Sequence, residues 1–162
     1  MWHWFLDLFL FTLLILFMLD MLTFLWVNRC YAFFYHLMIL TRGYLIFIDI
    51  DNFRNFNNHF GHFTGNKILR KVGLILLVES HFRAFRWGGD ELAILLPWSS
   101  KAKAKELAER VRLRVERTNI EGLKVTITCA VARYEQIVDN LLLQAKRDNS
   151  KNRIIVGAGP ES

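Results

Sequence analysis

Two short runs with strand character, Ala84 to Arg86 and Leu92 to Leu96, stand on either side of Trp87-Gly88-Gly89-Asp90-Glu91. A Gly-Gly pair between such runs predicts an antiparallel hairpin, because glycine supplies the left-handed backbone that a tight reversal needs. The predicted turn carries two carboxylates, Asp90 and Glu91. A second acidic pair, Asp49 and Asp51, closes the apolar run that begins at Tyr44, and that run reads as a buried strand. Carboxylates at a strand end are expected to face a cleft. If hairpin and strand are sheet neighbours, the two acidic pairs meet in one place.

The remaining pattern supplies a layer of helices. Asn28 to Leu40 reads as a short apolar helix. Asn52 to Phe60 reads as a helix stopped by a left-handed cap at Gly61, and Gly65 to Leu77 as a third helix with Thr64 as its N-cap. Pro97 ends the hairpin, and Ser100 opens a charged helix through Arg117. Lys124 to Ala132 is rich in β-branched residues and predicts a strand. Ile137 to Lys146 predicts the last helix and Ile154 to Val156 the last strand. The succession predicts an α+β fold in which helices pack on an antiparallel-rich sheet.

The first 19 residues differ in kind, with Asp7 as their single formal charge. A helix crosses the hydrocarbon core with about 20 apolar residues. Trp2 to Leu19 just meets that length, and Trp2 and Trp4 suit the interface. The expectation is a transmembrane or hydrophobic anchor helix over 1–19 followed by one domain over 20–158. No Lys or Arg precedes the segment and Arg29 and Arg42 follow it. That bias predicts a single pass through the inner, cytoplasmic membrane with the domain in the cytoplasm. A sensory or membrane partner would suit such an anchor. The competing reading, kept open by Asp7, is a hydrophobic helix that dimerises in water or is buried in a partner.

The formal net charge of +6 suits an anionic partner. The basic residues are dispersed and lack an aromatic-interleaved patch, which argues against nucleic acid. Cys30 and Cys129 have neither metal-ligand nor disulfide-framework spacing and fit a reducing compartment. The acidic groups suit magnesium, which takes carboxylate oxygens together with substrate phosphates. Two such ions can activate a 3′-hydroxyl and steady a transferring phosphate. Gly88 and Gly89 would let backbone amides approach a phosphate. On residues alone, the same hairpin also fits a solvated acidic turn.

Four motifs occur in one order: Asp20-Met-Leu-Thr-Phe-Leu-Trp-Val-Asn-Arg29; Ile48-Asp-Ile-Asp-Asn-Phe-Arg54 through Asn57 and Gly61-His62; RWGGDEL at 86–92; and Ala145-Lys146 with Lys151-Asn152-Arg153. In content and spacing they resemble the GGDEF family of diguanylate cyclases. The resemblance implies a ferredoxin-like, polymerase-palm-like sheet. It also implies condensation of two GTP into cyclic di-GMP across a homodimer, with magnesium or manganese. Carried over, Asp49, Asp90 and the Ile50 carbonyl are similar to the metal ligands. Glu91 resembles the residue that assists deprotonation of the 3′-hydroxyl or binds metal. Asn52 and Phe53 would offer amides to the phosphates, along with the Gly88-Gly89 turn and the cations Arg54, Lys146 and Lys151. Lys146 would also assist catalysis. Asn57 is similar to one of two guanine readers.

The chain departs from the family pattern at several positions. Asn66 stands where the second guanine reader is usually aspartate. An aspartate accepts from both N1 and N2 of guanine, whereas an amide offers one acceptor and one donor, which also complements adenine. Relaxed base choice, with cyclic GMP-AMP among the products, is therefore one alternative. Another is an inactive domain that binds nucleotide as an interaction module. Glu79 and Phe82 occupy the two positions of the family's inhibitory product site, so product feedback is not expected. Phe24 and Val27 alter the first motif, Ala130 replaces a strand glycine, and one extra residue precedes Lys151.

Overall fold

The structure is a computed structural model that describes residues 7–10, 12–13, 18–27, 43–133 and 151–156. The helices expected over 28–40 and 137–146 lie outside these residues. The described elements run β1 (Trp26–Val27), β2 (Tyr44–Ile50), α1 (Phe53–Glu79), β3 (Ala84–Arg86), β4 (Glu91–Leu96) and α2 (Lys101–Arg117). They continue with β5 (Asn119–Ile120), β6 (Leu123–Lys124), β7 (Ile127–Arg133) and β8 (Ile154–Val156). Among the described residues, β1, β3, β4, β2, β7 and β8 lie in that order in one six-stranded sheet, and β5 and β6 form a separate hairpin. The expected α+β plan holds, with a sheet that is mixed: β2 is antiparallel to both β4 and β7, while β1 joins β3 and β8 joins β7 in parallel.

Alternation along β2 sets up two apolar faces. Ile46, Ile48 and Ile50 point to one face with Leu92, Ile94, Ile127 and Cys129, where α1 and α2 cover them. Leu45 and Phe47 point to the other with Phe85, Ala93, Leu95 and Ala130. Helix α2 contributes Ala104, Leu107, Ala108, Val111 and Val115 at helical spacing, and the Ser100 hydroxyl accepts from the Lys103 amide at 3.3 Å, the N-cap expected from sequence.

The helices expected over 52–60 and 65–77 are the two arms of α1, which meet at the non-helical Gly61. Other expectations are corrected by local chemistry. Gly61 adopts φ 79°, ψ 161°, a combination nearly confined to glycine and too extended for a left-handed cap. Thr64 is no cap, since its hydroxyl donates to the Phe60 carbonyl at 3.0 Å. The strand expected over 124–132 is divided after Lys124: Leu123–Lys124 turns back on Asn119–Ile120 through the left-handed Glu121 (φ 56°) and Gly122 (φ 78°), while Ile127–Arg133 joins the main sheet.

A further correction concerns the N-terminal segment. Among the described residues no helix is long and apolar enough to cross a membrane, which overturns the expected transmembrane helix and its inner-membrane, single-pass location. Residues 7–10 and 12–13 are helical. Met18 packs on the second face of the sheet, however, and Leu19 forms an antiparallel bridge with Trp26. The end of the apolar stretch is thus used against the domain itself. Between Leu19 and Trp26 the chain reverses around Asp20, whose carboxylate accepts from the Thr23 amide and hydroxyl, each at 2.8 Å. Thr23 then seats on α1 at Gly73, where any Cβ would come within 2.8 Å of Thr23 atoms.

Candidate functional site

The pairing of β2 with β4 sets Asp49 directly opposite Glu91. Opposed residues of an antiparallel pair share a face, with Cβ atoms about 5 Å apart. This is the face of Leu45, Phe47 and Ala93. Both acids are half-buried. Glu91 lies over the hairpin turn, since a Cβ at Gly88 would come 3.2 Å from one of its carboxylate oxygens. Asp90 sits half-buried at the turn itself. Among the described residues no group of three or more His, Cys, Asp or Glu side chains is arranged to hold an ion unaided. The donor set fits a hard divalent cation of the magnesium kind, which commonly takes one or two carboxylates and fills its shell with substrate phosphate and water. The Ile50 side chain is buried in the core, so only its carbonyl is suited to such an ion.

Arg86 and Trp87 hold the hairpin to the domain. The Arg86 guanidinium donates to the Gly88 and Gly89 carbonyls at 3.3 and 3.0 Å and to both Asp20 oxygens at 3.0 and 2.9 Å. The Trp87 ring meets Phe47 edge-on, with centroids 5.2 Å apart. The Trp87 and Gly88 amides both donate to the Glu91 carbonyl, at 2.9 and 3.1 Å. Gly88 therefore does not turn its amide to a phosphate as expected, because that donor closes the turn. At Gly89 the space around the α-carbon is open.

At the end of β2 the two aspartates part company. Asp51, expected to face the cleft, is 5% exposed. Its oxygens accept from the Thr126 and Thr128 hydroxyls, each at 2.7 Å, and from the Asn152 amide at 2.9 Å. A buried carboxylate is tolerated when its lone pairs are so engaged, and Asp51 serves to tie the closing segment to β7. The next residue, Asn52, is left-handed (φ 60°, ψ 21°) and its side chain does not cap α1. Its Oδ1 instead accepts from the Lys151 ammonium. Phe53 packs against the core, and Arg54 is exposed on the first turn of α1. Asn52, Arg54 and Lys151 thus gather at the head of α1, while Lys146 lies outside the described residues.

The break at Gly61 folds the first turns of α1 back toward the rest. Asn57 Oδ1 lies over Gly65, where a Cβ would fall 1.9 Å from it. Asn66, the next residue, is exposed. The base-reading candidates are therefore near one another because residue 65 lacks a side chain. Sequence reasoning assigned no role to Asp20, Arg86, Arg112 or Asn152. Asp20, Arg86 and Asn152 stand in the motifs of the resemblance, and only the fold shows that Asp20 meets Arg86 and Asn152 meets Arg112. At the feedback positions, Glu79 is ion-paired to Arg110 at 2.9 Å and Phe82 is exposed.

The profile of the diguanylate cyclase GGDEF domain matches residues 37–152. The chain is 36% identical over 135 residues to the uncharacterized protein YtrP of Bacillus subtilis, covering 75% of this chain and 23% of that protein. It is 35% identical over 134 residues to the diguanylate cyclase DgcM of Escherichia coli, covering 74% and 32%. It thus spans about a third or less of the length of these relatives. Among solved structures it resembles the diguanylate cyclase SiaD of Pseudomonas aeruginosa, solved in complex with its activator SiaC. The TM-score there is 0.79 at 26% identity, over 96% of this chain and 68% of that one. It shares its fold with the coiled coil and GGDEF domain of DgcB from Caulobacter crescentus, solved with c-di-GMP. That TM-score is also 0.79, at 21% identity, over 94% of this chain and 92% of the other. With the profile matching more than half its length, the chain belongs to the GGDEF family of diguanylate cyclase domains.

Proposed function

We propose that the chain condenses two molecules of GTP into cyclic di-GMP, with residues 20–158 as the catalytic unit. Each 3′-hydroxyl oxygen bonds to the α-phosphorus of the other nucleotide, and two pyrophosphates leave. The observation that carries this reading is the register of Asp49 against Glu91 beside the Gly-Gly turn, at the same strand end as Asn52 and Lys151. One such domain presents one nucleotide, so the product requires a homodimer with two sites face to face.

Magnesium or manganese would be held by Asp49, Asp90, Glu91 and the Ile50 carbonyl, and when bound would supply charge that offsets the triphosphate and polarises the 3′-hydroxyl. Glu91 accepts the proton of that hydroxyl. Lys146, Lys151 and Arg54 neutralise the phosphates, a contribution felt most as charge shifts to the leaving pyrophosphate. The Asn52, Phe53 and Gly89 amides orient them. Asn57 and Asn66 read the base, and Asn66 favours relaxed choice between guanine and adenine.

Incubating the purified chain and its Asp90→Ala variant with magnesium and GTP, ATP or both, with products identified by mass, tests the proposal. Cyclic di-GMP from the wild type alone supports it. Tight GTP binding without turnover makes the chain a nucleotide-binding interaction module instead.

A further inference from the structure

Resting on the phosphate-site reading above, we propose that Arg112, on the far helix α2, positions Lys151 for the nucleotide phosphates by acting through Asn152. Arg112 is only 13% exposed along its side chain. It grips Glu109 with two nitrogens at 2.8 and 2.7 Å, and its third nitrogen reaches Glu116 at 3.0 Å and the Asn152 side-chain oxygen at 2.7 Å. The Asn152 amide nitrogen returns to Glu116 at 3.0 Å. Both ends of that side chain are therefore fixed by α2. The backbone of the same residue is fixed just past the end of β2, through its N–H to Asp51.

Asn152 is held at φ 57°, a left-handed conformation that asparagine tolerates better than most residues. With its side chain drawn inward, the preceding Lys151 is left exposed, its ammonium on Asn52 at the head of α1. A flexible lysine ordinarily loses much rotamer freedom when it must hold one position. Here the residue that follows it, Asn152, is clamped from two sides before any ligand arrives. The extra residue in the closing motif leaves open, on sequence grounds, whether Lys151 or a neighbour meets the phosphate. The network separates Lys151 from Asn152, because Asn152 is engaged inward and Lys151 faces outward. The paired Glu109 and Glu116 offset the Arg112 charge, so Arg112 itself adds little field at the site.

A double-mutant cycle on GTP affinity, measured by calorimetry on the purified chain with magnesium, tests the relay. Lys151→Ala and Arg112→Met are each expected to weaken binding about tenfold, the scale of one charge-assisted hydrogen bond. The double variant is expected to bind within about twofold of Lys151→Ala, because Arg112 has nothing left to position. Multiplying effects, near a hundredfold in the double variant, overturn the relay. So does a folded Arg112→Met with unchanged affinity. Arg112→Lys keeps the charge but lacks the planar fork, and it carries the same test if the methionine variant does not fold. Coupled effects without product sink the cyclase reading and leave the relay standing. Product with independent effects sinks the relay alone, and a wild type that binds no GTP overturns both.

Discussion

Arg86 donates to both carboxylate oxygens of Asp20 at 3.0 and 2.9 Å while its remaining nitrogens hold the Gly88 and Gly89 carbonyls. A single guanidinium thus bolts the Gly-Gly hairpin to a turn 66 positions earlier in the chain. Both partners are 20% exposed, so the pair is shielded enough to matter, unlike a fully solvated ion pair.

Asp20→Asn is expected to lower stability by about 1–3 kcal/mol and to reduce turnover, because Arg86 loses its anchor. Burial alone would raise the Asp20 carboxyl, but the Thr23 hydroxyl and amide and the Arg86 guanidinium together hold it below its ordinary value of 3.8. A carboxyl lowered in the folded state stabilises fully above its unfolded value and loses that contribution as pH falls through the lowered one. Melting curves from about pH 5 down to about pH 2.5 should show wild type and variant converging toward acid. A constant gap across that range counts against the pair as its source.

Asp49→Asn and Glu91→Gln are each expected to cut turnover at least about a hundredfold, the scale of losing an electrostatic or acid-base contributor. Magnesium with a non-hydrolysable GTP analogue should raise the melting temperature of the wild type and not of Asp49→Asn, and a chelator should reverse the rise. Equal shifts in the two proteins would place the ion elsewhere.

Gly61→Ala and Gly65→Ala are expected to fail differently. The first has open space and strains only the backbone, costing about 1–3 kcal/mol. The second drives a methyl group into Asn57 and should raise the KM for GTP as well as lower stability. Kinetics and melts on both variants check the contrast, and an unchanged KM in Gly65→Ala would remove Asn57 from the base site.

Asn66→Asp restores two acceptors for guanine and should increase the preference for GTP over ATP by about tenfold or more. Competition of the two nucleotides for product, read by mass, decides it. A wild type that already makes cyclic di-GMP alone at equal concentrations would show that Asn66 does not relax base choice.

Added cyclic di-GMP is expected to leave initial rates unchanged, because Glu79, engaged by Arg110, and the exposed Phe82 occupy the two positions where product feedback would be built. Rates measured against rising product concentration test this, and Arg110→Ala should not alter the outcome.

The parts of this fold that were legible in the sequence follow from local periodicity. Ile46, Ile48 and Ile50 alternate with Leu45 and Phe47, and Ile68, Leu69, Val72 and Leu76 keep helical spacing, so β2 and the second half of α1 stood where expected. The hairpin was legible for the same reason. What sequence could not show is what a polar group meets at long range. Asp49 and Asp51 look equivalent as text, yet Thr126, Thr128 and Asn152 bury only the second. Hydropathy likewise marks the stretch ending at Leu19 as apolar without saying whether lipid or the sheet receives it, and Met18 goes to the sheet.

The two-residue strand Trp26–Val27 lies beside β3, at the hairpin's own margin of the sheet. An uncovered strand there would offer free peptide groups to another chain, the usual route to strand swapping and fibrillar association. Trp26 also locks the margin laterally, its indole N–H donating to the Phe82 carbonyl at 3.1 Å. The same short segment that braces the Gly-Gly hairpin therefore acts as a guard against self-templating, and weakening it should increase aggregation alongside any loss of activity.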